Sequence, residues 1–362
     1  MASIAIQKPV IDTTEGCRYC LMCRHVCPVT RVTFNEATSP HGWALEIASV
    51  QRGLLQWNAE TVDLLYQCAD CGLCNAFCVT DQPLPEAIVA ARAAVVAGGH
   101  APARVPEIEA TLRRGLHAEG LAAAEVAEAA LFAGMAAIEQ RAALDAARVL
   151  LGHVDLAHGV IGAGRDSGYL AYTLGLHDTA RELARATAEE IRRAGVQTLI
   201  ALAPEDAYTF TRIYPLLGEP LPDTVWVADL TELLARALDE GRLRLRTAPI
   251  ELAYHDPCHA PRARDSWDAP RRLLAAATEH SPREGFWRER RAAPCGASGG
   301  LALTQPRLAD QLARSALADA TASGVRVVVT EAPGCLMQLR RAAPPDVQVR
   351  GLYELLAERI EN

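Results

Sequence analysis

Cys17-Arg-Tyr-Cys20-Leu-Met-Cys23-Arg-His-Val-Cys27-Pro28 and Cys68-Ala-Asp-Cys71-Gly-Leu-Cys74-Asn-Ala-Phe-Cys78 repeat one spacing, C-x2-C-x2-C-x3-C. Two-residue spacing turns three sulfurs toward one point, and the longer step carries the fourth away, helped after the first run by Pro28. An iron–sulfur cubane takes four thiolates, and in two-cluster proteins the fourth cysteine of each run serves the other cluster. The spacing therefore assigns Cys17, Cys20, Cys23 and Cys78 to one [4Fe-4S] cluster and Cys68, Cys71, Cys74 and Cys27 to the other, close enough together for fast electron transfer. A pair of four-cysteine zinc sites is the alternative, but zinc ribbons use two separated C-x2-C pairs. The second run ends in Val79 where proline is usual, a small departure that leaves ligation untouched.

The rest of the composition agrees. The chain has 362 residues and 11 cysteines; eight fall within residues 17–78 and none within 79–257. Cofactor ligation explains that skew, and a disulfide framework does not. A formal net charge of −8 and a pI near 5.7 argue against a nucleic-acid partner. No run of about 18 uncharged apolar residues and no export signal are visible, so the expectation is a cytoplasmic chain with no direct membrane span, reaching a membrane only through a partner. The length predicts two or three domains.

Residues 1–98 read as a helical segment, because Trp43–Val50 and Ala59–Tyr66 carry apolar residues at three and four spacing. Gly98-Gly-His-Ala-Pro-Ala-Arg-Val-Pro106 is a break, and 99–124 reads as a helical linker. Beyond it, Thr198–Leu202, Val225–Val227, Ile250–Tyr254 and Val325–Val329 alternate with amphipathic helices, the pattern of βα units around a parallel sheet. The fold class expected is α+β overall: an α-helical bicluster ferredoxin domain followed by a tandem pair of α/β domains, over 125–249 and 250–362. The pairing follows from an internal repeat: Gly195–Pro204 aligns without gaps on Gly324–Pro333, and Leu230–Leu234 on Leu352–Leu356. In this alignment Asp206 stands for Cys335, Met135 for Cys258 and Ile161 for Cys295. The first repeat is thus degenerate, with no cysteines.

The three remaining cysteines form another constellation: Tyr254-His-Asp-Pro-Cys258-His-Ala-Pro-Arg262, Pro294-Cys295-Gly-Ala-Ser-Gly-Gly300 and Ala332-Pro-Gly-Cys335-Leu-Met-Gln338. Each follows a predicted strand or lies in a glycine-rich turn, where backbone can approach a bound inorganic group. Three thiolates fall one short of a closed cubane, and His255, Asp256 or His259 could fill the open position. Three structural thiols, or zinc held by the cysteines plus His259, are the competing readings. His25, His41, His100, His117, His153, His158, His177 and His280 have no ligand spacing and read as surface or core residues. Gly159–Arg165 lacks the dinucleotide-binding frame after a strand, so no built-in flavin or nicotinamide site is expected.

On these residues nearly the whole chain resembles the cysteine-rich CCG-domain iron–sulfur proteins. These include the D subunit of heterodisulfide reductase and the iron–sulfur subunits of glycolate oxidase, lactate-utilisation and anaerobic glycerol-3-phosphate dehydrogenase systems. His255–His259 with Ala269–Leu274 is similar to the first; Cys295–Gly300 with Thr304–Pro306, Gly334–Leu339 and Ser39–Gly42 are similar to the glycolate oxidase form. Catalytic members carry a doubled cysteine where Pro294 stands, another cysteine where Gln338 stands, and cysteines in both repeats. The resemblance therefore implies a non-catalytic electron-transfer subunit, relaying electrons between a flavin-containing dehydrogenase of 2-hydroxy-acid type, or a similar redox partner, and a quinone, membrane cytochrome or other carrier. Cys258, Cys295 and Cys335 could hold a third iron–sulfur cluster. The alternative is a heterodisulfide-reductase-like catalytic subunit with substrate chemistry there.

Overall fold

The computed structural model describes residues 13–116, 128–263 and 267–361. A helical segment carrying both cysteine runs precedes two parallel four-stranded sheets. The predicted helices are Pro40–Gln51 and Ala59–Leu65. Ser39 caps the first by accepting from the Gly42 N–H at 3.1 Å, and Asn58 and Thr61 cap the second reciprocally. A third helix, Leu84–Ala97, seals their apolar faces: Ala87, Ile88, Ala91 and Val95 share one core with Trp43, Ile47, Val62 and Leu65. Of the expected linker, Arg104–Gly115 is helical, while its end within 117–127 lies outside the described residues.

The first sheet contains β1 (Ala129–Phe132), β2 (His158–Ile161), β3 (Thr198–Ala201) and β4 (Trp226–Asp229), in the order β2-β1-β3-β4. The second contains β5 (Ala253–Tyr254), β6 (Arg283–Glu284), β7 (Val327–Thr330) and β8 (Gln348–Gly351), in the same order, β6-β5-β7-β8. All pairings are parallel. The central strands bury apolar residues on both faces, as parallel sheets covered by helices require. The register pairs Ala130 with Leu199 and Ala253 with Val328. Met135 thus stands as far past its strand as Cys258 past its own, and Asp206 matches Cys335. Ile161 does not match Cys295: it closes β2, whereas Cys295 lies in a long loop well past β6.

The two sheets meet through reciprocal contacts. Helix Arg141–His153 packs on Leu352–Ala357, while Leu230–Asp239 packs on Asp268–Ala277. The hydroxyls of Thr231 and Tyr353, equivalent in the sequence alignment, lie 3.0 Å apart; Tyr353 donates to the Leu202 carbonyl at 3.1 Å and Thr231 to the Glu331 carboxylate. Each hydroxyl thus bonds across to the strand end of the other sheet. Leu131, Ile200, Leu234, Tyr254, Val329 and Leu352 form one apolar core across the join.

The helical segment is tied onto both halves by Arg92, whose side chain is fully buried. Its guanidinium donates to the carbonyls of Leu65 (3.0 Å), Cys68 (2.7 Å), Thr173 (2.8 Å) and Gly299 (3.2 Å). A buried cation persists only when so saturated with acceptors. Gly299 has φ +70°, and a Cβ there would sit 2.7 Å from the Ala69 carbonyl carbon. The glycine-rich turn after Cys295 therefore seats the second cysteine run itself. Among the described residues no helix is long and apolar enough to cross a membrane.

Candidate metal centres

The two runs fold alike. Tyr19 and Leu21 (φ 50° and 64°) correspond to Asp70 and Gly72 (φ 49° and 70°), so each run places left-handed residues before and after its second cysteine. Such backbone costs about 1 kcal/mol or more at a non-glycine residue and marks a functional constraint. Here it turns the chain around its sulfurs, and backbone N–H groups point at them: Asp70 donates to Cys68 Sγ at 3.4 Å and Gln82 to Cys78 Sγ at 3.3 Å.

Cys17, Cys20, Cys23 and Cys78 line one small cavity of about 40 Å³, whose wall Cys74 also touches. Cys27, Cys68, Cys71 and Cys74 line a second of about 20 Å³. At the first, Cys20 is exposed; the second is walled by Trp43, Pro28 and Pro85 beside the buried Cys27 and Cys68. Burial pushes Cys23 up to about 11 and Cys68 up to about 12. Thiols so placed ionise only against a cation, and four converging sulfurs with N–H donors around them fit an iron–sulfur cubane. His41 also borders the first cavity, within 3.1 Å of the Ser39 hydroxyl, a placement its isolated position in the sequence concealed.

The carboxyl ends of the strands in both sheets converge on a third cavity of about 470 Å³, the place where parallel sheets build sites. Cys258, Cys295 and Cys335 all line it and are all buried. His255, Cys295 and Cys335 bring their donor atoms within 4.8 Å of one another. Of the residues next to Cys258 in sequence, His255 is therefore the one grouped with two cysteines. Asp256 is committed to Arg271, which donates to it at 2.7 and 3.1 Å. His259 also lines the cavity but lies beside Cys258, its Nδ1 3.5 Å from Cys258 Sγ. Burial raises the Cys295 thiol, but hydrogen bonds with Cys335 and His255 outweigh it and hold Cys295 at about 5; the same bond, together with burial, pushes Cys335 well up. One ready thiolate, a second sulfur and an imidazole form a donor set suited to zinc or iron.

The first half supplies the opposite wall with Asp166, Ser167, Glu205 and Asp206. Burial raises Glu205 to about 8 and Asp206 to about 7. Among these acids, the sequence singled out only Asp206. Glu205 was legible in principle, since the same alignment sets Pro204-Glu-Asp206 on Pro333-Gly-Cys335.

Asp70, between Cys68 and Cys71, joins the second cavity to the third. It accepts from the Tyr169 hydroxyl at 3.1 Å and the Thr173 hydroxyl at 3.3 Å, and its carboxylate lies 3.8 Å from His259 Nε2. Burial alone would raise it, but His259 and Arg262 outweigh that and hold it below the usual range. A lone acid between two cysteines gave no sequence signal, because its partners come from residues far along the chain.

Such paired thiolate cavities define an iron–sulfur protein. Residues 13–81 match the 4Fe-4S dicluster domain, and residues 252–340 match the CCG cysteine-rich domain. The chain is 31% identical over 194 residues to the D subunit of dihydromethanophenazine:CoB–CoM heterodisulfide reductase from Methanosarcina barkeri, covering 51% of this chain and 46% of that one. It is 28% identical over 174 residues to the B subunit of the CoM/CoB fumarate reductase of Methanothermobacter marburgensis (46% and 34%), and 26% identical over 225 residues to the probable iron–sulfur-binding oxidoreductase FadF of Bacillus subtilis (58% and 30%). The match spans about half the length of the heterodisulfide reductase chains. A hypothetical protein from Helicobacter pylori shares the fold, with TM-score 0.59 at 11% identity over 98% of this chain and 76% of that one. The chain thus carries a dicluster domain and a CCG domain, and its homologues are heterodisulfide reductase D chains and FadF-like iron–sulfur oxidoreductases.

Proposed function

We propose that this chain is an electron-transfer subunit that relays electrons between a flavin-containing dehydrogenase, of the 2-hydroxy-acid type, and a quinone, cytochrome or comparable carrier. The observation that carries it is the succession of sites: an exposed cysteine cavity, then a buried one, then the deeply buried cysteines of the third. The two linings, which share only Cys74 among the cysteines, support the ligand division read from the spacing, Cys17, Cys20, Cys23 and Cys78 for one [4Fe-4S] cluster and Cys68, Cys71, Cys74 and Cys27 for the other. The shared strand order and reciprocal contacts support a tandem pair whose first member has lost its ligands. A bound cluster supplies one-electron redox chemistry, which splits the two electrons of a reduced flavin into single steps. The protein's part is to hold the sulfurs and exclude water from the two inner sites.

His255, Cys295 and Cys335 would hold the third group, with Cys258 on the same wall. The cavity of about 470 Å³ in front of them favours a second reading, in which substrate chemistry takes place there. Iron and sulfide analysis with low-temperature EPR of the reduced protein tests both. About eight irons limits the chain to the paired clusters, and about twelve adds a third. Unchanged reduction of a one-electron acceptor by the complex carrying Cys258→Ser would argue against any role for the third site, in relay or in substrate chemistry.

A further inference from the structure

A string of polar side chains joins the second and third sites. Arg262 donates to the Asp70 carbonyl at 3.0 Å, and the same nitrogen lies 3.3 Å from His259 Nε2. Arginine can only donate, so Nε2 must accept. With Nε2 accepting from Arg262, the ring's proton lies on Nδ1, which faces Cys258 Sγ at 3.5 Å. Tyr169 and Tyr208 hold the ring edge-on and tilted, with centroids at 4.8 and 5.5 Å. Gly72, directly after Cys71, lets the guanidinium in: a Cβ there would sit 1.6 Å from Arg262 Nη2.

We propose that Arg262 and His259 are positioning residues that couple the second cysteine run to the third centre. Arg262, anchored on the Asp70 carbonyl, fixes the His259 tautomer, and His259 donates to the Cys258 thiolate and so sets how readily the third centre takes an electron from its neighbour. One electron leaves one centre and arrives at the other, and no proton moves. Hydrogen bonds to sulfur stabilise the more negative, reduced state. The inference rests on the reading that the third site holds a redox-active iron–sulfur group.

The test is an EPR-monitored redox titration of the holoprotein, with iron and sulfide counted in each sample. His259→Leu removes the donor and should make the third centre about tenfold harder to reduce relative to the second-run cluster. His259→Asn, whose amide nitrogen can stand where Nδ1 stood, should restore the wild-type ratio at unchanged iron content. Arg262→Met leaves the ring in place but frees its tautomer and should move the ratio in the same direction as His259→Leu, which keeps the test open if the leucine variant loses iron. A ratio within twofold of wild type in Arg262→Met and in every iron-replete His259→Leu sample overturns the coupling, as does an asparagine variant that shifts as far as the leucine. Wild-type protein with iron for only two clusters removes the underlying reading instead, and the iron count separates that failure from the other.

Discussion

His255 lies three residues before Cys258 and His259 directly after it, and the fold gives them different work. His255 joins Cys295 and Cys335, while His259 sets its Nδ1 3.5 Å from Cys258 Sγ. His255→Ala should therefore lower iron retention at the third site while leaving the paired clusters intact, as metal analysis and EPR of the purified protein would record. Nearness to a cysteine marked both histidines in the sequence, but only the turn after β5 distinguishes them. Glu46 makes a prediction of another kind. Both its carboxylate oxygens are buried without a hydrogen-bond partner among the described residues, and burial raises it to about 7. A carboxyl raised in the folded state binds its proton more tightly there than in the unfolded chain, so stability falls as pH rises from its unfolded value near 4.5 through about 7. Glu46→Gln should flatten that fall, measured as melting temperature between about pH 4.5 and pH 7.

At the level of elements, the glycine-rich turn after Cys295 gives the sharpest forecast. Gly299→Ala combines a left-handed backbone with a clash against Ala69 and should cost about 2 kcal/mol or more, read as a lower denaturation midpoint. The strands were legible unevenly, for a physical reason. β3 and β7 are buried runs of apolar and β-branched residues, which announce themselves. β6 is only Arg283-Glu284, exposed at a sheet edge, and β2 is broken by Gly159, so neither carries a hydrophobic signature. The cysteine runs were fully legible because thiolate spacing is a local constraint. The acid wall of Asp166 and Glu205 was not, because it exists only where the loops after β2 and β3 converge.

At the scale of the molecule, Arg92 holds three segments at once, and Arg92→Leu would leave the carbonyls of Cys68, Thr173 and Gly299 without that donor. Each unsatisfied buried acceptor costs about 1–3 kcal/mol. The variant should expose the second run, seen as faster loss of visible absorbance under air, before the sheets themselves unfold. A final consequence belongs to the seam where Thr231 meets Tyr353. Because matching positions there touch each other, a change in either hydroxyl disturbs the strand ends of both lobes together, Leu202 on one side and Glu331 on the other. At this seam every replacement has to suit two neighbourhoods at once, the strand ends of both sheets.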